Sequence, residues 1–183
     1  MVMVHGIRTS ATMWRAQVAH LEARGVAAVA VDLPGHGSRM AETFTLEGAF
    51  ATIDAAVRAG AADGRGLLVG HSMGGLLSIS YAGAEVRPPI DAFIAASCTA
   101  IPRGLALQTY RTLARGFDRL PSRGAPIAEW VLDRTLPPET RADFGAGGYA
   151  YGAQDTALRS LPVLAPLADL RRLAAPPSVI NRQ

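Results

Sequence analysis

The segment Gly70-His71-Ser72-Met73-Gly74 sets one hydroxyl between two glycines, a spacing suited to nucleophilic attack on a carbonyl. The apolar run Leu67–Val69 before it reads as a strand, and the pattern after it reads as a helix. Ser72 therefore falls on a sharp strand-to-helix turn. Such a turn holds the serine in a strained backbone conformation and exposes its hydroxyl at the strand's C-terminal edge, while the glycines let neighbouring backbone pass closely. The Met73 amide then opens the helix, where positive dipole character favours a developing oxyanion.

His5-Gly6 is the second element, at the exit of the apolar fragment Val2-Met3-Val4. Strand ends in doubly wound sheets face the ligand crevice. Gly6 lets the following backbone turn towards Ser72, which makes the Ile7 amide the natural second oxyanion donor. By itself His-Gly is an ordinary strand-exit turn. Beside the serine turn it reads as part of a site.

The elements that must position these groups alternate. Val26–Val31, Leu67–Val69 and Ile90–Ala96 follow the first strand as continuous apolar runs, the pattern of strands covered on both faces. Between them lie amphipathic helices. Trp14, Val18 and Leu21 form one stripe, with Ser10 as N-cap and Gly25 just past the end; Leu46, Phe50, Ile53 and Val57 form another behind Thr45. A third helix runs from Ser72 through Leu76, Leu77 and Tyr81. The expected fold class is α/β, a mainly parallel doubly wound sheet. Residues 98–175 change character, reading as helices broken by Pro121, Pro137-Pro138 and the Gly145-to-Gly152 stretch. Such an insertion is expected to be a helical cap over the 1–97 core, with residues 176–183 starting the next strand.

Composition narrows the function classes. The 183 residues suit a single domain, and 49% hydrophobic against 18% charged excludes intrinsic disorder. All 18 basic side chains are Arg, scattered from Arg8 to Arg182, with a net charge of +3 and no basic patch. No nucleic-acid partner is expected. A single cysteine, Cys98, rules out a disulfide framework and a multi-cysteine metal site and points to a reducing, cytoplasmic compartment. The uncharged stretch from Gly66 to Ala84 is long enough to span a membrane, but its five glycines, His71 and three serines argue against stable insertion.

Taken in order and spacing, "MVHGIRTSATMW", "VDLPGHGSR" and "LLVGHSMGG" resemble the α/β-hydrolase fold superfamily, in its serine-hydrolase branch of esterases, lipases and lactonases. "IAASCTA" and "LADLRRLAAPPSVIN" fall where such proteins carry later strands. The resemblance implies that Ser72 is the nucleophile, that the Ile7 and Met73 amides hold the oxyanion, and that His5, Gly6, Gly70 and Gly74 support them. Asp32 and His36 belong to a structural loop. Neither cofactor nor metal is implied, and the expected partner is a small-molecule ester or lactone. Serine at the turn argues against the dehalogenase and epoxide-hydrolase branches, which use aspartate.

The same resemblance places the acid after the strand beginning at Ser178 and the base histidine one strand further on. The four histidines here, His5, His20, His36 and His71, all precede Ser72. The expectation is a C-terminally truncated member, its final strand and helix missing, and nearly inactive, because a serine hydroxyl without a base is a poor nucleophile. The alternatives are a non-catalytic fragment and a ligand-binding member of the fold. His71 should point into the sheet packing. Asp91 should begin a strand; Asp118, Asp133, Asp143, Asp155 and Asp169 read as solvated charges. Arg111, Arg115 and Arg119 read as a solvated face opposite a core stripe of Tyr110, Leu113, Phe117 and Leu120. Trp14 could line an acyl pocket or pack in the core, and Cys98 reads as a buried inert thiol.

Overall fold

The computed structural model describes residues 1–61, 66–84, 89–98, 102–173 and 178–180. Five strands, β1 (Val2–Val4), β2 (Val29–Val31), β3 (Leu67–His71), β4 (Ala92–Ala96) and β5 (Ser178–Ile180), form one sheet in the order β2-β1-β3-β4-β5. Every pairing is parallel, with Val2 opposite Val29 on one side and Leu68 on the other. This order makes β1, β3 and β4 neighbours, so the loops leaving their C-terminal ends meet.

Side chains alternate across the sheet with the two-residue period of a strand. Val2, Val4, Leu68, Phe93 and Ala95 face the helices α2 (Leu46–Gly60) and α3 (Met73–Ala82). Met3, Val69 and Ile94 face the other way, against Trp14 and the Val18 and Leu21 side of α1 (Arg15–Glu22). Trp14 is thus a core residue. Thr45 caps α2 by accepting a hydrogen bond from the Gly48 amide, and Ser10 caps a short 3-10 turn that leads into α1.

Two strands differ from the sequence reading. β2 begins three residues later than Val26, because the Val26 amide is used to close α1 on the Leu21 carbonyl and pairing with β1 starts at Val29. It is also an edge strand, so Val26 and Val29 remain exposed rather than covered on both faces. β4 begins at Ala92 rather than Ile90, since the Asp91 amide and carboxylate both turn back to Gly66.

Beyond Pro102 the chain is helical: α4 (Leu105–Asp118), α5 (Ala125–Thr135), α6 (Pro138–Gly145), α7 (Tyr151–Ser160) and α8 (Pro166–Arg172). Pro121 opens a 3-10 turn and Pro138 the first turn of α6, positions where a missing amide costs nothing. Pro176 and Pro177 lie outside the described residues. No described helix is long and apolar enough to cross a membrane.

Two expectations for this region are overturned. The α4 stripe of Tyr110, Leu113, Phe117 and Leu120 is not a core stripe: Leu113, 59% exposed, and Leu120 face outward, Tyr110 and Phe117 border cavities, and the buried face is formed by Ala114. Arg111 is half-buried, with its Nε wholly covered. Asp169 is likewise no solvated charge. It is 5% exposed, accepts a hydrogen bond from the Ser80 hydroxyl at 2.7 Å and pairs with Arg172, tying α8 to α3. Asp118 is partly buried too, held by Gln154 and Arg8.

The outward stripe has a direct consequence for stability. Leu77→Ala, at a fully buried α3 position, should cost about 2–5 kcal/mol in urea denaturation. Leu113→Ala should cost no more than about 0.5 kcal/mol. A comparable loss at Leu113 would mean that α4 buries the face that the structure exposes.

Candidate active site

Ser72 occupies the junction of β3 and α3 with φ 54° and ψ −114°. A non-glycine residue adopts positive φ only under steric duress. The conformation is pinned from both sides: the Ser72 amide donates to the Ala96 carbonyl at 2.8 Å, and its carbonyl accepts from the Leu76 amide. The turn closes because two glycines yield space. A Cβ on Gly70 would overlap the Gly74 carbonyl and the Ser78 hydroxyl, and one on Gly74 would reach the Val4 and His5 carbonyls at 2.5 and 2.6 Å. Gly6 passes against Ser72 as well, its Cβ position 3.2 Å from the serine Cβ.

Ser72, Met73 and Ile7 line one cavity of about 320 Å³. Met73 is the first residue of α3, so its amide has no acceptor within the helix. Helical residues close the cavity with Pro102, Leu107, Tyr110, Leu158 and Leu161, and β4 contributes its exit residues Ser97 and Cys98. Among the described residues, no charged side chain lines it. Of the five described non-glycine residues with positive φ, three, Arg8 (φ 67°), Ser72 and Ser97 (φ 52°), follow the ends of β1, β3 and β4, and the other two, Ser122 and Arg123, sit in the turn after α4. Strain of this kind concentrates where a scaffold fixes functional groups. The sequence reading missed Ser97 and the helical lining; the strand exit at Ser97 was the available signal. Cys98 is half-buried rather than buried, and burial pushes its thiol up from the ordinary range.

His5 is fully buried, and both of its ring nitrogens are engaged. Its Nε2 accepts from the Leu33 amide at 3.1 Å, which fixes the proton on Nδ1, donated to the Gly6 carbonyl at 2.7 Å. The ring thus clamps the loop that carries Ile7. Desolvation lowers the His5 pKa to about 4, keeping the imidazole neutral. His36 stacks beside it, ring centroids 4.8 Å apart, and donates from Nδ1 to the Pro34 carbonyl. Asp32 completes the loop, accepting from the Ala11 and Ser38 amides and the Ser38 hydroxyl. Burial pushes the Asp32 carboxyl up, but these hydrogen bonds together hold it below the ordinary range.

His20 lies on the exposed side of α1, where Arg24 meets its ring. The His71 ring does not point into the sheet: its Nδ1 sits beside Gly6, buried and without a hydrogen-bond partner. Desolvation lowers its pKa as well. None of these histidine hydrogen bonds involves the Ser72 hydroxyl.

The sequence profile of the alpha/beta hydrolase family matches residues 1–181. The chain belongs to this family. Solved structures with the same fold include E-2-(acetamidomethylene)succinate hydrolase, with TM-score 0.71 and 21% identity over 99% of this chain and 71% of that one. The thioesterase domain from the curacin biosynthetic pathway gives 0.69 and 22%, covering 98% and 73% of the two chains. A thermophilic esterase from Thermogutta terrifontis gives 0.65 and 19%, covering 98% and 80%. No curated protein matches the chain. At these identities the likeness establishes the α/β-hydrolase fold.

The buried neutral His5 makes stability depend on pH. Its folded pKa lies below the unfolded value of 6.5, so the unfolded chain binds the extra proton between about pH 6.5 and 4. Stability is full above that window and falls through it by about 3 kcal/mol. Urea denaturation at pH 7.5 and 4.5 should show most of this loss in the wild type and a clearly smaller one in His5→Gln. Equal losses in both proteins would contradict the assignment.

Proposed function

We propose that this chain carries the nucleophile half of a serine hydrolase acting on small carboxylic esters or lactones. The observation that carries the proposal is Ser72 in positive-φ backbone between the end of β3 and the head of α3, sharing a cavity with Ile7 and Met73. The Ser72 Oγ attacks the substrate carbonyl carbon, its proton passes to a base, and the carbonyl oxygen becomes an oxyanion held by the Ile7 and Met73 amides. Collapse of this adduct expels the alcohol and leaves the acyl group on Ser72. Water then releases the acid.

Among the described residues, Ser72 and the Ile7 and Met73 amides supply the nucleophile and the oxyanion donors, and no histidine hydrogen-bonds to the Ser72 hydroxyl. The engagement of both His5 nitrogens, the burial of the His36 ring and the remoteness of His20 on α1 support that reading. These residues acting without a base would give only the catalysis left by oxyanion binding, on the order of 10³–10⁴-fold over water in comparable triads. Residues 98–175 act as the cap, and Pro102, Leu107, Tyr110, Leu158 and Leu161 set the shape of the accepted acyl group.

A fluorophosphonate probe tests both halves of the proposal. Wild type should label at Ser72 only slowly, and high concentrations of imidazole, an external base, should raise the rate at least about tenfold. Ser72→Ala should stay unlabelled in either condition. Rapid labelling without imidazole would sink the missing-base reading, and no labelling even with it would sink the nucleophile assignment.

A further inference from the structure

Ile7 walls a second cavity. On its other side lies a cleft of about 330 Å³ between the β1 exit and the helices α4, α5 and α6, lined by Arg8, Phe117, Arg123, Ile127 and Tyr151 among others. Its chemistry differs from that of the Ser72 cavity. Two guanidinium groups line it and no acidic side chain does. Both stand over the Tyr151 ring, Arg8 at 4.5 Å and Arg123 at 5.9 Å from its centroid. Arg8 faces the Asp118 carboxylate at 3.9 Å, too long for a hydrogen bond but an ion pair that offsets part of its charge; there the Asp118 Oδ1 is buried without a hydrogen-bond partner while Oδ2 accepts from Gln154.

Two further features point to an occupant. The Tyr151 ring that both guanidinium groups cover lines the cleft, with its hydroxyl buried and without a hydrogen-bond partner among the described residues. Phe117, Ile127 and Val131 expose apolar surface along the same cleft. An apolar wall beside two cations fits an apolar chain or ring that ends in an anion. Planar guanidinium groups suit a carboxylate in particular.

We propose that this cleft is a carboxylate subsite, and that the substrate is an ester or lactone whose apolar body also carries a free carboxylate. Only the assignment of the ligand as part of a substrate rests on the serine-hydrolase reading; the subsite itself does not. Arg8 follows the oxyanion donor Ile7 directly, so a carboxylate held there lies across a single side chain from the reacting carbonyl.

Isothermal titration calorimetry on the full chain tests this with octanoate and with 1-octanol, which has the same chain length and no charge. Octanoate should bind at least tenfold more tightly. Arg123→Gln, at an exposed position, should weaken octanoate at least tenfold and leave 1-octanol unchanged, and Arg8→Gln should do the same in a protein whose circular dichroism is unaltered. Leu107→Trp, which fills the Ser72 cavity, should leave octanoate binding intact. Equal affinity for the two ligands, or octanoate binding that survives Arg123→Gln or disappears with Leu107→Trp, would overturn the subsite. Lost octanoate binding beside normal Ser72 labelling refutes the subsite alone; retained binding beside absent labelling refutes only the nucleophile and leaves the subsite standing.

Discussion

The backbone at Ser72 turns where a side chain ordinarily cannot, and most of the site follows from how that turn is held. Left-handed backbone at a non-glycine residue costs on the order of 1–3 kcal/mol. The cost is met by what the turn joins. Nine of the ten residues of α3 are buried, including Leu76, Leu77 and Ile79, and each such side chain contributes roughly 1.5–3 kcal/mol on leaving water. A gentler turn would move α3 off the sheet, and Gly74 shows how little room exists: a Cβ there would collide with the Val4 and His5 carbonyls. The strain is therefore fixed by packing far larger than itself.

From this constraint the electrostatics follow. With β1, β3 and β4 adjacent, their exits bring Ile7, Ser72 and Ser97 around one cavity. The polar side chains of its described lining are the hydroxyls of Ser72, Ser97 and Tyr110 and the Cys98 thiol, none of them a charged residue. Amides at a helix start stabilise an oxyanion without any reorganisation. Nearby titratable groups serve the scaffold instead. His5 is neutral and spends both nitrogens on the loop, and Asp32 spends its oxygens on the Ala11 and Ser38 segment. Charge returns only beyond Ile7, where Arg8 and Arg123 border the second cleft.

The serine turn was legible in the sequence because its mechanics demand particular residues at fixed spacing. A strand, a glycine, a serine and another glycine leave few alternatives, and the Thr45 cap made α2 equally plain. Periodicity failed where it had to say what covers a face. The stripe of Tyr110, Leu113, Phe117 and Leu120 is a real helical face, yet Leu113 and Leu120 point outward, Tyr110 and Phe117 border cavities, and Ala114 makes the buried contact. The extent of β2 was misjudged because closure of α1 on Val26 competes with sheet pairing. Asp169 is buried because Ser80, 89 residues earlier, receives it. Non-local partners of this kind, like the helical lining of the cavity, leave no mark in a local pattern.

The central claim is that packing forces the backbone at Ser72 into a conformation that a side chain resists. Comparing Ser72→Gly with Ser72→Ala by urea denaturation isolates it, since both remove the hydroxyl and only glycine accepts positive φ freely. Ser72→Gly should be the more stable of the two by at least about 1 kcal/mol, despite the greater entropy of its unfolded chain. Equal stability, or a more stable Ser72→Ala, would contradict the account.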